Sequence, residues 1–515
     1  MPNKLSRRLG YLPLMLCLCS SGFAQQKHNR VMLILIDGLR PDQITQAKMP
    51  NLFALQQTSV VFADHHAIYP TVTRVNASTI ATGSYPDDHG ILSNMLYMPE
   101  TSKQPLTTGE SRNLILRAAS RNDHILAKPS LSEMMTADGK HFVGITSGSS
   151  GAATLLAPEA RHGTATLINA GLADGKVVAY PADVDRTIRE RFGVQPAHEG
   201  LTSVLWTQKV LREYILPELP HDLVIDWMTE PDSAQHKYGV GSPQAVAALK
   251  AVDAEVGKLL ATLRERDELS STDILITADH GFGDIAGTID LRTIYREAGL
   301  QPDEVTALND SPTSSFYVHP HAGADFQKKL TSLTTTMARR QDVQLLFTRS
   351  MTGKGCKAGA SKGSVAGTFA LEKVHLCTGD GPDLVVSMRP TGQKNAFGEG
   401  GSVPILQDTD APNENAGVHG GLNPWMEHIP LICMGPHFQG TRTLQEPSGN
   451  IDLTATMAAL LHVRMTGIQG RNLAVDLTRT GAVSHHQYEA EAFGIRRYLN
   501  TTTYMGEEYA NDGER

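Results

Sequence analysis

With 515 residues the chain has material for a large core and about three domains, and its makeup is that of a globular protein: 40% hydrophobic, 19% charged, mean hydropathy −0.22. A formal charge of −8 argues against a nucleic-acid duplex as partner, since proteins that hold a phosphate backbone present a basic face. Free nucleotides stay open, because a bound metal supplies positive charge that a count of side chains misses.

Residues 1–24 have the pattern of an export signal. Lys4, Arg7 and Arg8 precede the apolar run LGYLPLMLCLC, and GFAQQ offers small residues at Gly22 and Ala24 for cleavage after Ala24. The run is shorter than the about 20 residues of a spanning helix, and no later stretch is apolar for that length, so no stable membrane insertion is expected. Export implies a periplasmic or extracellular protein, where disulfides form. Two of the five cysteines lie in the signal. Of Cys356, Cys377 and Cys433, the preferred pair is Cys356–Cys377, because Cys433 falls in the strand-like run IPLICM. Three buried or unpaired thiols are the alternative.

Six short runs rich in Val, Ile and Leu predict buried strands: RVMLILI (30–36), HFVGIT (141–146), DLVIDW (222–227), TDILITA (272–278), DLVVSM (383–388) and IPLICM (429–434). Between them lie helical patterns. After Pro243, Val246, Leu249, Val252, Val256, Leu259, Leu260 and Leu263 recur at three- and four-residue steps, and NIDLTATMAALLHV (450–463) reads as a late helix with Asn450 or Asp452 at its start. Strand–helix alternation of this kind predicts an α/β protein, its mostly parallel sheet covered by helices on both faces. The core is expected over 28–294 and 381–477. Residues 295–380 read as a small inserted α+β subdomain, from the unit SSFYVHP, ADFQKKLTSLTTTMARR, VQLLFTR and the Gly- and Lys-rich turns after it. Residues 478–515 read as a polar, peripheral tail.

In an open parallel sheet, functional groups collect beyond the carboxyl ends of strands. Asp37 follows the first predicted strand, Asp232 and His236 follow the third, Asp279 and His280 follow the fourth, and NENAGVHGG later presents His419. Each alone reads as a turn or cap. Together they supply three carboxylates and three imidazoles, the donor set of zinc and related ions, enough for two sites of three ligands that keep an open position. His65, His66 and His89 read as structural.

The motifs LILIDGLRPD, YPTVTRVNASTIATGSYPDDHGILSN, EPDSAQHKYG, ITADHGFGD and GVHGG, in that order, resemble the alkaline phosphatase superfamily, and within it the nucleotide pyrophosphatase/phosphodiesterase branch. The resemblance implies an alkaline-phosphatase-like core with two Zn2+ ions. Asp37, Thr73, Asp279 and His280 would surround one ion, and Asp232, His236 and His419 the other. Thr73 would be the nucleophile, forming a threonyl-phosphate, and Asn94 would donate to a phosphoryl oxygen. Thr71 has the weaker claim, because only Thr73 has the family's spacing to Asn94. A threonine hydroxyl is a poor nucleophile at neutral pH, and metal coordination makes it an effective one.

Two departures bear on substrate. The branch usually has a base-stacking aromatic directly after the nucleophile, and this chain has Arg74 there. Trp227 keeps the other usual aromatic, five residues before Asp232, so the resemblance assigns Arg74 and Trp227 to substrate binding. Arg74 would stack by its guanidinium plane or grip a phosphate. Monoesterases of similar architecture neutralise a dianionic phosphate with a Lys-x-Arg pair, whereas GITSGSSGAATLL (144–156) has no cation. The expectation is an exported two-zinc phosphodiesterase or nucleotide pyrophosphatase acting on a small phosphate ester or nucleotide. The alternatives are a phosphomonoesterase or phosphonate hydrolase on the same site and, remotely, a non-catalytic binding protein.

Overall fold

The computed structural model describes residues 29–195, 200–320, 322–352, 355–408, 413–478 and 481–514. The export signal read over 1–24 lies outside the described residues.

The fold grows around the strand Arg30–Ile36, which pairs in parallel with Leu223–Met228 on one side and Thr272–Thr277 on the other. Beyond Leu223–Met228 come Phe142–Thr146 and Thr166–Ile168, both parallel, and the short antiparallel Ala179–Tyr180. On the other flank His428–Met434 runs antiparallel between Thr272–Thr277 and Val60–His66, and Arg442–Leu444 closes the edge in parallel. The sheet is therefore mostly parallel.

Two-residue periodicity sorts the central strand between two apolar clusters. Val31, Leu33 and Leu35 enter one, with side chains from the helices Thr73–Thr82 and Asn450–Leu460. Met32, Ile34 and Ile36 enter the other, which the helix Pro243–Glu265 covers with Leu249, Val252, Val256, Leu259, Leu260 and Leu263. Each leucine so buried stabilises the fold by about 2 kcal/mol. Pro243–Glu265 starts sharply because Ser242 Oγ accepts the N–H of Ala245 and proline needs no donor at the first position.

A second sheet has the order Val305–Asp310, Thr313–Val318, Leu384–Met388, Val343–Thr348, Phe369–Ala370, with Leu291–Ala298 and Gly323–Ala338 packed on it. Leu384–Met388 is antiparallel to both neighbours, so the 383–388 run belongs to this sheet, beyond residue 380, and not to the core. A five-residue apolar run marks a buried strand, but which sheet it joins is decided by long-range pairing. The chain after residue 477 is likewise more than a polar tail. Val483–Ala492, Ile495–Tyr504 and Glu507–Glu514 form an antiparallel sheet whose Ala490 and Leu499 pack with Leu345 and Phe347. Tyr509 from this sheet donates to Asp452 Oδ2 at 2.9 Å, at the first turn of Asn450–Leu460. Cys356 and Cys377 are disulfide-bonded, and Cys433 is a buried free thiol.

Candidate active site

The three central strands end at one place. Asp37 directly follows Arg30–Ile36, Asp232 opens the helix Asp232–Tyr238 after Leu223–Met228, and Asp279 and His280 follow Thr272–Thr277. His419 arrives from the short strand Gly417–Val418. His280 Nε2 lies 3.2 Å from Asp279 Oδ2 and 3.5 Å from Asp37 Oδ1. Asp232 Oδ1 is 3.5 Å from His236 Nε2 and 3.7 Å from His419 Nε2. Donor atoms of Asp232, His236 and His419 form one compact group, and those of Asp37, Asp232 and His280 another, so Asp232 stands between the two. The rings of His280 and His419 stack at 3.6 Å.

All three imidazoles are turned the same way. Nδ1 of His280 lies 2.9 Å from Gly281 O, Nδ1 of His236 3.0 Å from Gly417 O, and Nδ1 of His419 3.1 Å from Thr71 O. A carbonyl only accepts, so each Nδ1 carries a proton, and each Nε2 is the nitrogen turned toward the acids, the one left to ligate a metal.

Electrostatics points the same way. Asp37 Oδ1, Asp232 Oδ1 and Asp279 Oδ2 are buried with no hydrogen-bond partner among the described residues. Burial, then the charges of Asp279 and Asp232, push the Asp37 carboxyl well above its usual range, and burial pushes Asp232 up to about 7. Burial holds His236 down to about 4 and His419 well below an ordinary imidazole. Crowded acids that resist charge, beside imidazoles that resist protonation, are groups whose ionised carboxylates and free ring nitrogens a divalent cation would stabilise together.

Thr73 is the first residue of its helix, with Val72 at the cap, and it is 7% exposed. Its Oγ1 sits 3.2 Å from His280 Nε2. Arg74 is half-buried, with its charge felt by Asp37, Asp232, Asp279 and Asp310. Asn94 Oδ1 accepts the Arg74 N–H at 3.1 Å, which ties the Asn94 loop to the helix start. Thr71 and Asn76 are structural. Thr71 Oγ1 donates to Gly421 O, and the Asn76 amide clamps Ile68 through both its backbone groups. His65 and His89 are buried against Ser448 and Thr79.

Trp227 is a correction. Its side chain is 1% exposed within the apolar cluster under the sheet, and its indole N–H donates to Asp37 Oδ2 at 3.0 Å. It sits on the strand itself, where the alternation of side chains turns it inward, so it orients an acid and offers no open face to a base. Sequence reasoning also missed Asp310. This buried acid, at the end of Val305–Asp310 in the second sheet, accepts the Asn94 N–H with both oxygens, at 3.1 and 3.2 Å. Nothing in its local sequence distinguishes it from an ordinary hairpin acid.

A mostly parallel sheet whose strand ends gather paired acids and imidazoles, with a hydroxyl at a helix start, is the arrangement expected of the alkaline phosphatase superfamily. The sequence profile described as type I phosphodiesterase / nucleotide pyrophosphatase matches residues 31–348. The chain belongs to that family. It is 27% identical over 272 residues to venom phosphodiesterase 2 of Crotalus adamanteus, covering 52% of this chain and 28% of the relative. It is also 27% identical over 268 residues to human ectonucleotide pyrophosphatase/phosphodiesterase family member 1, covering 51% and 24%. The chain thus spans about a quarter of the length of these curated relatives. Among solved structures, murine ectonucleotide pyrophosphatase/phosphodiesterase 5, an inactive form in complex with AMP, superposes with a TM-score of 0.59 at 16% identity, over 87% of this chain and 98% of that one. That likeness is one of fold.

Proposed function

We propose that the protein is a metal-dependent phosphodiesterase or nucleotide pyrophosphatase that acts through Thr73. The observation that carries this reading is the Thr73 hydroxyl, 3.2 Å from His280 Nε2 at a helix N-terminus, inside a cluster of buried acids and imidazoles. Two zinc ions suit that donor set, held by Asp37, Asp279 and His280 with Thr73, and by Asp232, His236 and His419. When bound, they would lower the pKa of the hydroxyl and stabilise charge on the leaving oxygen.

The chain's own groups do the rest. Thr73 Oγ1 gives up its proton to water and attacks phosphorus in line, the bond to the leaving group breaks, and that group departs with a proton taken up from water. The helix N-terminus favours the anionic phosphoryl group. With its oxygen held by the Arg74 N–H, the Asn94 amide has its nitrogen as donor to a phosphoryl oxygen. Water then attacks phosphorus, the Oγ1–P bond breaks, Oγ1 recovers a proton from that water, and the phosphate product leaves with the remaining hydroxyl. The named activities of the relatives and the AMP complex of the structural neighbour support a nucleotide or similar ester as substrate.

Export to the periplasm or beyond is part of the same reading, supported by the pattern of residues 1–24 and by the Cys356–Cys377 bond. No helix of the described residues is long and apolar enough to cross a membrane.

One observation favours monoester hydrolysis instead: Arg74 is a cation at the centre, able to offset a second phosphate charge. Kinetics on p-nitrophenyl phosphate against its phenyl and thymidine diesters separates the readings. The diesters are expected to be the better substrates, and a monoester preference of about a hundredfold would overturn the proposal. Arg74→Ala is expected to lower kcat/KM for nucleotide esters by roughly tenfold to a hundredfold, mostly through KM, because a charge-assisted contact to substrate is lost.

Asp310 should matter through Asn94. Asp310→Ala leaves the Asn94 N–H without its acceptor, and kcat on a diester is expected to fall about tenfold with KM little changed. An unchanged kcat would show that the second sheet has no hold on the phosphoryl contact.

A further inference from the structure

A second set of metal-ligating side chains lies apart from the catalytic centre, on the neighbouring strands Val60–His66 and His428–Met434. His66 and His428 are cross-strand partners, and Asp64, two residues before His66, shares its face. Asp64 Oδ1 is 2.7 Å from His66 Nε2 and 3.6 Å from His428 Nε2, and one donor atom from each residue falls within 4.8 Å of the others. Behind them stands Glu427, 0% exposed, with Oε1 2.6 Å from His66 Nδ1 and Oε2 3.9 Å from His428 Nε2. Neither Glu427 oxygen has an aligned hydrogen bond among the described residues. A buried carboxylate behind one ring nitrogen, with the other nitrogen facing an acid and a second imidazole, is the arrangement by which proteins orient a ligating histidine.

We propose that Asp64, His66 and His428 bind a divalent first-row metal ion, zinc by their donor types, with Glu427 orienting His66. The competing arrangement is a protonated His66 bridging two acids with no metal. It accounts for the two short contacts of His66 and leaves His428 and Glu427 Oε2 without a purpose. A divalent ion in place of the His66 proton, by contrast, would be matched in charge by the two carboxylates and would engage His428 as well. The half-exposed His428 lines a cavity of about 510 Å³ between the core and the C-terminal sheet, together with His485, His486 and Asp512. An ion can enter there, and its fourth position would face water or a small anionic ligand. His66 also lies 3.4 Å from Ala510 O and 5.9 Å from the Tyr509 ring, so the site abuts the last strand.

Elemental analysis of the full-length protein, loaded with zinc and dialysed, tests this without reference to activity. His428→Ala and Asp64→Asn are each expected to carry about one zinc ion per chain less than the parent. The double variant of His428→Ala with His419→Ala should lose the two increments additively, since the sites are separate. Equal zinc in His428→Ala and parent, at matching circular dichroism, overturns the proposal. So does a loss on His428→Ala that vanishes once His419 is replaced, because that zinc would belong to the catalytic centre. Should Asp64→Asn fail to fold, the half-exposed His428 carries the test alone.

Discussion

Replacing Thr73 by alanine is expected to cut kcat on a diester by a factor on the order of ten thousand, with the fold left in place. The two halves of that expectation have different causes. Turnover falls because Oγ1 is the hydroxyl set against His280 Nε2, and a methyl group cannot form the threonyl-phosphate. Stability holds because Thr73 is not the helix cap, and alanine is the better helix former, so the change stays within about 1 kcal/mol. Steady-state kinetics with a thermal melt checks both. Thr73→Ser keeps the hydroxyl and should retain a measurable part of the rate. An alanine variant that loses less than about tenfold would move the nucleophile from Thr73 to water and change the class of mechanism.

Stripping the protein of metal should have an effect of similar size on activity and a further one on stability. Dialysis against a chelator is expected to leave less than about a hundredth of the activity, and added zinc should restore it. In the bare centre Asp37, Asp232 and Asp279 face one guanidinium, that of Arg74, and each has an oxygen without a hydrogen bond among the described residues. Holding such charges in the interior is costly, and bound cations remove the cost. Zinc at a hundred times its dissociation constant should therefore stabilise the fold by about 2.7 kcal/mol per site, read as a shift of the melt with zinc concentration. A chelated protein with full activity would remove the acids and imidazoles from the chemistry altogether.

The sequence is most legible where structure is local. Arg30–Ile36 coincides with the run RVMLILI, because a strand covered on both faces needs unbroken apolar residues. Pro243–Glu265 is legible for the opposite reason, since one covered face leaves a three- to four-residue rhythm. Sheet membership is not local, and 383–388 shows it: the same apolar texture serves a core strand and a strand of the second sheet. The site divides in the same way. Asp37, Asp232, Asp279 and His280 stand out because each follows a readable strand, and the ordered motifs of the family add His419, Thr73 and Asn94. Asp310, Trp227 and the Asp64–His66–His428 cluster become intelligible only from pairings across the fold, such as Asp310 with Asn94 over 216 residues. A lone acid or histidine carries no mark of its distant partner.

The carbonyls that turn the three imidazoles have a consequence for how the protein can drift. The acceptors are main-chain oxygens of Gly281, Gly417 and Thr71, and no side-chain replacement can delete a carbonyl. Ligand orientation is thereby insulated from ordinary variation around the centre. The weakness moves to the backbone path itself. A Cβ on Gly281 would run into the Trp425 carbonyl, and one on Gly417 into that of Gln235. Two residues with no functional group at all are thus among the least replaceable in the centre, since any alanine there must displace the backbone that aims a histidine.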